Sequence, residues 1–320
     1  MHKTFNFDFI GKRKLFFTIS IVLVAFSILS TFIFGVDLDI QFKGGTIITY
    51  VYDGDLDCDG FVKDAKDILG GIGVQYTTGV DFSSGKNNIQ LSLTSTSGLS
   101  SDKQFELTNA LTEKYAENNI DLIESSDVSP SSGREFFLKC IVAVILSSIV
   151  LIIYIAIRFK KIGGWLAGIC AIIALLHDCI IVYGTFIVCG MPINANFMAV
   201  VLTILGYSIN NTIVIYDRIR ENSKLYGKKM TREENVNLSI NQSLTRSINT
   251  SLTTVVAMLA VTIVAAVYGV TSIISFSLPV MVGMIAGTYS SVCLVSVLWS
   301  YFEGKKYTHN GAPKAAAKQA

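Results

Sequence analysis

Charged residues are scarce in this chain. Only 16% of its 320 residues are Asp, Glu, Lys or Arg, whereas 51% are hydrophobic, and the mean hydropathy is +0.52. Soluble globular domains carry about 25% charged residues. The shortage of charge therefore excludes an ordinary water-soluble domain and predicts a membrane protein.

Histidine is also rare, with three in the chain, and the six cysteines form neither a CxxC nor a Cys/His pattern. Metal and redox sites usually need such clusters, so we predict no metal site and no cofactor. Most of the cysteines lie in apolar runs and are expected to behave as small apolar side chains. The spacing leaves open whether Cys58 and Cys189, both predicted outside or near the outer surface, form a disulfide.

Patterns typical of membrane-embedded proteases are missing. An aspartyl protease needs two carboxylates, but Asp178 is the only carboxylate placed deep in an apolar run. A Ser/His protease would need a nucleophile elbow of the G-x-S-x-G type beside His177, and none accompanies it. We therefore predict that the protein is not an enzyme.

Six apolar runs are long enough to cross a bilayer, whose hydrocarbon core of about 30 Å requires about 20 helical residues. They are Leu15–Val36, Ile141–Ile157, Gly163–Val188, Ile193–Tyr216, Ile248–Val267 and Ile274–Trp299. The first run is too long for a signal peptide and lacks a clear cleavage site, so we predict that it is a retained anchor.

Lysine and arginine are concentrated on one side of these spans. Outside residues 37–139 they fall in four segments: 1–14, 158–161, 217–246 and 303–320. The positive-inside rule places these segments, and therefore both termini, in the cytoplasm, where they face anionic lipid. The uncharged connections around Gly190 and Gly269 are then outside.

The segment 37–135 between the first two spans is acidic, with 17 acidic and 7 basic side chains, which argues against a nucleic-acid partner. Strands are predicted at 46–52, 73–80, 88–94 and 120–123, and helices at 61–69 and 101–117. The order β-α-β-β-α-β predicts one α+β ferredoxin-like extracytoplasmic domain. The fold class is thus a polytopic α-helical membrane protein with six transmembrane helices and this domain between helices 1 and 2. The predicted organisation is an N-terminus at 1–14, helix 1 at 15–36, the external domain at 37–135, helices 2–6 at 136–302 with a cytoplasmic loop at 217–246, and a tail at 303–320.

Two adjacent amides interrupt the fourth apolar run. Asn210 and Asn211 would each cost several kcal/mol, on the order of the transfer penalty into hydrocarbon, if they had no hydrogen bonds. Arg246 and Asn249 share one stripe of the fifth helix because they are three residues apart. We predict that these side chains form a polar seam between helices four and five, with Gly206 allowing close approach.

His177 and Asp178 lie near the middle of the third run. Ionisable side chains within spans are rare and usually functional. Adjacent residues point about 100° apart on a helix, so we expect the two side chains to face different neighbours. Two roles stay open: local hydrogen bonding that holds the helices together, or ion movement.

The ends of the spans also carry recognisable patterns. Asp217, Arg218 and Arg220 are predicted to form the cytoplasmic end and hinge of the fourth helix, where the carboxylate can pair with a guanidinium. A short interfacial helix with a capping box is predicted to start at Thr231.

The sixth helix has a pattern of small residues. Gly283 and Gly287 form a G-x-x-x-G pair, which predicts a helix-packing face, and Ser290 and Ser291 extend it. Pro279, inside the same helix, predicts a kink.

Four motifs resemble the SecF side of the SecD/SecF family of protein translocase subunits. They are VDLDIQFKGGT (36–46), HD (177–178), GYSINNTIVIYDRIREN (206–222) and INQSLTRSINTSLTT (240–254). Their order and spacing match the family along nearly the whole chain. The resemblance implies a fold related to the resistance-nodulation-division (RND) superfamily and a location in the bacterial cytoplasmic membrane.

The resemblance also implies a function and partners. Chains of this kind act with SecD as accessory subunits of the Sec pathway, in which an ion gradient such as the proton motive force helps to draw exported polypeptides through the SecYEG channel. SecD would complete the transmembrane unit, and the G-x-x-x-G face is one candidate contact with it. A passive scaffold that links SecD to SecYEG is the alternative, and small-molecule efflux is a weaker one because no substrate pocket is evident.

One position departs from the family pattern. The family usually has aspartate where this chain has Asn211, and an amide cannot carry a proton. Three hypotheses stay open for the coupling: a carboxylate of SecD titrates, Asp178 takes over, or the complex uses sodium, for which oxygen ligands suffice.

Overall fold

The structure is a computed structural model that describes residues 7–71, 73–80, 85–94, 99–226 and 229–309. Within these residues, six helical runs are long and apolar enough to cross a membrane, which confirms the predicted number. The elements in chain order are α1 (Arg13–Phe34), α2 (Ile40–Lys43), β1 (Gly45–Tyr52), α3 (Cys58–Ile68), β2 (Gly73–Val80), β3 (Asn87–Thr94), α4 (Ser101–Lys114), a 3-10 turn (Ala116–Asn118), β4 (Asp121–Val128), α5 (Pro130–Arg158), a second 3-10 turn (Lys160–Ile162), α6 (Gly164–Val188), α7 (Ala195–Tyr226), α8 (Arg232–Val267), α9 (Thr271–Tyr289), a π-helical segment (Ser290–Val295) and α10 (Ser296–His309).

The four strands of the external domain form one antiparallel sheet in the order β2-β3-β1-β4. This order, with α3 and α4 between the strands, is the ferredoxin-like topology predicted from the sequence. The alternate residues of β1 and β3 that face the helices are fully buried, and Tyr50 packs edge-on against Phe61 of α3 with 5.9 Å between the ring centroids. The two helices thus cover one face of the sheet.

Main-chain hydrogen bonds attach the domain to the membrane helices. The Ile193 amide donates to the Asp37 carbonyl (2.8 Å), and the Asp39 amide donates to the Ile193 carbonyl (3.1 Å). The Thr271 hydroxyl donates to the Thr78 carbonyl of β2 (2.8 Å). The connection from α6 to α7 and the start of α9 therefore lie on the same side of the membrane as the domain, as expected for uncharged external connections.

The predicted loop 217–246 is mostly helical. The α7 helix continues to Tyr226, so Asp217 lies inside the helix and not at its end. The α8 helix begins at Arg232 and is unbroken to Val267, so the segment starting at Thr231 is the first part of a 36-residue helix and not a short interfacial one.

Amide and hydroxyl pairs explain why the two helices extend beyond their apolar parts. The Asn222 amide donates to the Ser239 hydroxyl (2.8 Å), and the Asn235 amide donates to the Ser223 hydroxyl (2.8 Å). All but Ser223 are buried. These contacts pack the polar parts of α7 and α8 side by side, although apolar periodicity does not mark them.

The capping box predicted at Thr231 is present. The Thr231 hydroxyl accepts from the Glu234 amide (3.2 Å), and the Glu234 carboxylate accepts from the Thr231 amide (2.7 Å). The latter bond lowers the pKa of Glu234. Both first-turn donors thereby gain partners.

Thr231→Ala is expected to lower the free energy of unfolding by about 1 kcal/mol, because the Glu234 amide loses its acceptor. Chemical unfolding of the purified chain in detergent measures this, and Thr231→Ser is the matched control that keeps the hydroxyl. Because the pKa of Glu234 is lowered, the stabilisation that its carboxylate contributes is present above the ordinary pKa of glutamate and is lost as the pH falls below it. Equal stability of Thr231→Ala and the parent chain would contradict the prediction.

The sixth span departs from α geometry after α9. The α9 helix continues through Pro279, where the kink stays a prediction, and the π-helical segment follows at Ser290–Val295 with all six side chains buried. Single π turns in helices often occur at functional sites.

All six cysteines are free thiols, so Cys58 and Cys189 do not form a disulfide.

Candidate functional site

A buried carboxylate lies where three elements of the membrane bundle meet. Asp178 of α6 has no exposed surface. One carboxylate oxygen, Oδ2, accepts from the Ser208 hydroxyl of α7 (2.7 Å) and from the Ser290 hydroxyl of the π-helical segment (2.8 Å). The other oxygen, Oδ1, lies 3.0 Å from Nδ1 of His177. A single carboxylate thus links α6, α7 and the sixth span.

The two adjacent ionisable residues contact each other, so the expectation that they face different neighbours is wrong. Their Cα–Cβ directions do differ by about 100°, but the side chains are long enough for the His177 ring nitrogen to reach the Asp178 carboxylate. The His177 ring is 6% exposed, and its Nε2 has no hydrogen-bond partner in the described part of the chain.

Aromatic contacts connect this pair to the first span. The His177 ring lies 6.2 Å from the Tyr289 ring, measured between centroids. The Tyr289 hydroxyl donates to the Phe16 carbonyl of α1 (2.8 Å) and accepts from the Ser20 hydroxyl (3.3 Å). The polar cluster therefore reaches from α1 to α7 across the interior of the bundle.

The π-helical segment adds a second pair of hydroxyl contacts. The Ser291 hydroxyl donates to the Ser208 carbonyl (3.1 Å) and lies 3.0 Å from the Thr212 hydroxyl. Ser290 and Ser291 were predicted only as small packing residues. The sequence does hold a signal for this hydrogen-bonding role. Two adjacent serines in the sixth apolar run could pair with Ser208 of the 206–222 motif.

The G-x-x-x-G pair of α9 is a packing face, as predicted, and its neighbours are helices of the same chain. A Cβ on Gly283 would lie 2.7 Å from Ile204 of α7 and 2.8 Å from Val182 of α6, and one on Gly287 would lie 3.0 Å from Ser208. The two glycines therefore bring the sixth span close enough for Ser290 to reach Asp178.

The predicted seam between helices four and five does not form between the expected residues. Asn211 is 3% exposed, and its Nδ2 has no hydrogen-bond partner among the described residues. Asn210, Arg246 and Asn249 are exposed instead. Gly206 is exposed as well, with no atom within 4 Å of an added Cβ, so it does not mediate close approach of the two helices.

Hydroxyl groups make the contact between α7 and α8. The Tyr207 hydroxyl donates to the Ser251 hydroxyl (2.8 Å), which lies 2.6 Å from the Thr288 hydroxyl of α9. Helix rotation explains the difference from the prediction: Tyr207 faces α8, and Asn210, three residues later and about 60° around the helix, lies on the outer surface.

The charged group predicted at the end of the fourth helix is an ion-pair cluster within it. The Asp217 carboxylate accepts from Arg220 one turn later (2.6 Å) and from Arg158 at the end of α5 (3.1 Å). Arg218 instead bonds to the Gln242 side chain of α8 (2.7 Å) and to Glu221 (2.6 Å). The cluster ties three helices together beyond the apolar layer, and its role as a hinge stays a prediction.

The architecture and the buried polar cluster define a class of protein: a multi-pass membrane protein with six spans, a ferredoxin-like domain after the first, and ionisable groups inside the bundle. A family model described as "Protein export membrane protein SecD/SecF, C-terminal" matches residues 107–305. The chain belongs to the SecD/SecF family.

Individual relatives support the same assignment. The protein translocase subunit SecF of Rickettsia bellii is 33% identical over 302 residues, which cover 94% of this chain and 95% of the relative. The SecF subunit of Petrotoga mobilis is 35% identical over 307 residues, which cover 91% of this chain and 94% of the relative.

Solved structures resemble the fold as well. The crystal structure of SecDF, a translocon-associated membrane protein from Thermus, has a TM-score of 0.78 and 30% identity. A SecDF structure in a super-membrane-facing form has a TM-score of 0.67. Both similarities cover 95% of this chain, and this chain spans 40% of the length of each SecDF chain.

Proposed function

We propose that this chain acts with SecD as an accessory subunit of the Sec machinery in the bacterial cytoplasmic membrane, and that an ion gradient drives its contribution to the export of polypeptides through SecYEG. Its Lys/Arg-rich segments and both termini are then cytoplasmic. The observation that carries the proposal is the fully buried Asp178, which is shared by α6, α7 and the π-helical segment. An ionisable group at such a junction inside a membrane bundle is the expected feature of ion coupling.

Protonation of Asp178 would change how these elements are joined. The ionised carboxylate only accepts hydrogen bonds, and here it accepts two from Ser208 and Ser290. The protonated acid must donate one, so one serine would have to turn and accept or find another partner. His177 can hold the proton next to the carboxylate and keep the pair neutral overall, which avoids the large cost of an unpaired buried charge. Proton transfer can therefore shift the packing of the sixth span against α7.

Because Asn211 cannot carry a proton, two other sources of ion coupling remain as alternatives to Asp178. A carboxylate of SecD would supply a titrating group from outside this chain, and sodium could bind to oxygen ligands without any proton. Export in reconstituted vesicles under a proton gradient alone and under a sodium gradient alone separates the two ions. A response of export to the proton gradient that depends on Asp178 favours the proposal.

An exposed polar face supports SecD as the partner inside the membrane. Asn210 on α7 and Arg246, Asn249 and Thr253 on α8 are all exposed in this chain. Polar groups facing hydrocarbon are costly, so such a face requires another protein surface or water. A SecD chain seated here would cover the face and would contact Asn210 directly.

Replacing Arg246 and Asn249 together with alanine is expected to weaken association with SecD by roughly 1–3 kcal/mol, because interhelical polar contacts contribute about 0.6–2 kcal/mol each. Co-purification from detergent at graded concentrations, or energy transfer between labelled chains in vesicles, measures the affinity. Lys224→Ala, which removes an exposed charge from the far end of α7, is the control. Unchanged affinity in the double variant would show that SecD does not dock on this face.

Reconstitution tests the function as a whole. Vesicles that contain SecYEG, SecD and this chain should export a secretory precursor faster with the ion gradient than without it, and omission of this chain should remove the difference. The passive-scaffold alternative predicts that the chain accelerates export equally with and without the gradient. That result would overturn the proposal.

A further inference from the structure

A cleft of about 890 Å³ separates the external domain from the outer ends of the membrane helices. Strand β2 forms one wall, and residues 190–196 and 271–275 form the opposite one. Two polar side chains of β2 in this cleft already have partners: the Gln75 amide donates to the Asp37 carboxylate, and the Tyr76 hydroxyl donates to Asp59 of α3 (2.7 Å). This latter bond raises the pKa of Tyr76 to about 12, so the phenol stays protonated at neutral pH.

The unpaired side of β2 faces this cleft. β2 is an edge strand that pairs only with β3, and the register is unbroken from Gly73–Thr94 to Val80–Asn87. The Thr78 carbonyl accepts from Thr271 and therefore points away from β3. In an antiparallel ladder the main-chain groups of alternate residues point to the same side. Val74 and Tyr76 must therefore also present their N–H and C=O groups to the cleft, and outside the ladder none of these groups has a hydrogen-bond partner among the described residues.

The two edges of the sheet are protected differently. Edge strands usually carry charges or proline that prevent another strand from pairing with them. β4 carries Asp121, Glu124 and Asp127. β2 has the sequence GVQYTTGV, with neither a charge nor a proline. The only uncharged edge of the sheet is thus the one that lines the cleft.

We propose that an exported polypeptide in extended conformation binds in this cleft and pairs its main chain with β2 at Val74 and Tyr76. This inference rests on the proposed function, since it takes the exported chain as the occupant. Strand addition recognises the main chain, and the partner's side chains contribute little to it when no deep pockets receive them. A subunit that handles many different precursors needs recognition of this kind.

Site-specific photocrosslinking in the assembled complex tests the proposal. A photoreactive residue at Thr77, which lines the cleft, should crosslink to a precursor stalled during export. The same residue at Glu124 on β4 is the control and should give at least fivefold less product. Two precursors of unrelated sequence should crosslink at Thr77 within about twofold of each other. Crosslinking to SecD in place of the precursor, or to one precursor only, would overturn the proposal.

A proline substitution tests the main-chain contact itself. Tyr76→Pro removes an N–H that points into the cleft and leaves the hydrogen bonds to β3 intact, and proline is tolerated in this way on edge strands. Tyr76→Ala is the matched control because it removes the phenol and keeps the N–H. Precursor crosslinking from Thr77 should fall at least fivefold in Tyr76→Pro relative to Tyr76→Ala, and equal yields would overturn the proposal.

If Tyr76→Pro fails to assemble, the proposal is tested by the crosslinking yields from Thr77 and Glu124 in the otherwise unchanged chain. Gradient-dependent export without a precursor crosslink at Thr77 overturns this inference and leaves the proposed function standing. Absence of gradient-dependent export with a crosslink at Thr77 overturns the proposed function alone.

Discussion

Asp178→Asn is expected to reduce the gradient-driven part of export at least tenfold while the chain still assembles with SecD. Asparagine has nearly the same shape as aspartate and can still accept from Ser208 or Ser290, but it cannot titrate. The substitution therefore removes the proton and keeps the packing of a site that is fully buried. The measurement is precursor translocation into vesicles with and without an imposed proton gradient, at equal amounts of assembled complex.

Two further variants separate titration from structure at this site. Asp178→Glu keeps an ionisable group and should retain part of the gradient response, although its extra methylene must fit a packed interior. Ser208→Ala removes one donor to the carboxylate and should give an intermediate loss, because the ionised form loses one of its hydrogen bonds. A full response to the proton gradient in Asp178→Asn would assign the coupling to a titrating group of SecD.

Much of the fold could be predicted because long-range order in this chain follows from local patterns. Apolar runs of about 20 residues marked the spans, and a β-branched and aromatic run after two glycines marked the central strand at 46–52. The helical extensions at 217–226 and 232–247 were missed because they are held by pairs such as Asn222 with Ser239, which have no apolar period. Polar packing between helices is invisible to a hydropathy argument.

The candidate site was predicted less completely, for reasons of geometry. Asn211 was singled out as an amide in an apolar run, but the partners assigned to it depended on the rotation of α7, which packing at Tyr207 determines. The contact between His177 and Asp178 depended on side-chain rotamers, and helical spacing describes only the direction of Cβ. Ser290 joins the site through a π-helical segment, which no spacing rule for α-helices anticipates.

Gly283→Leu is expected to prevent correct packing of the sixth span, with a loss of about 3 kcal/mol in the free energy of unfolding, at the upper end of the range for overpacked interiors. Even the Cβ atom would lie 2.7 Å from Ile204 and 2.8 Å from Val182, which are both fully buried. Because the same glycine stripe brings Ser290 to Asp178, the variant should also lose gradient-driven export. Thermal unfolding of the purified chain in detergent measures the first effect.

Gly206→Leu is the matched control, since it makes the same change on α7 where no atom lies within 4 Å of the added Cβ. Leucine favours the helix over glycine by roughly 0.5–1 kcal/mol, so the isolated chain should be as stable as the parent or slightly more stable. Gly206 lies one helical turn from the exposed Asn210, so the bulky side chain should nevertheless obstruct SecD and weaken its association. We expect the substitution at Gly283 to destabilise the isolated chain and the substitution at Gly206 to weaken only the association with SecD. This difference would distinguish the inner packing face from the outer docking face. Equal destabilisation of the isolated chain by both substitutions would contradict that division.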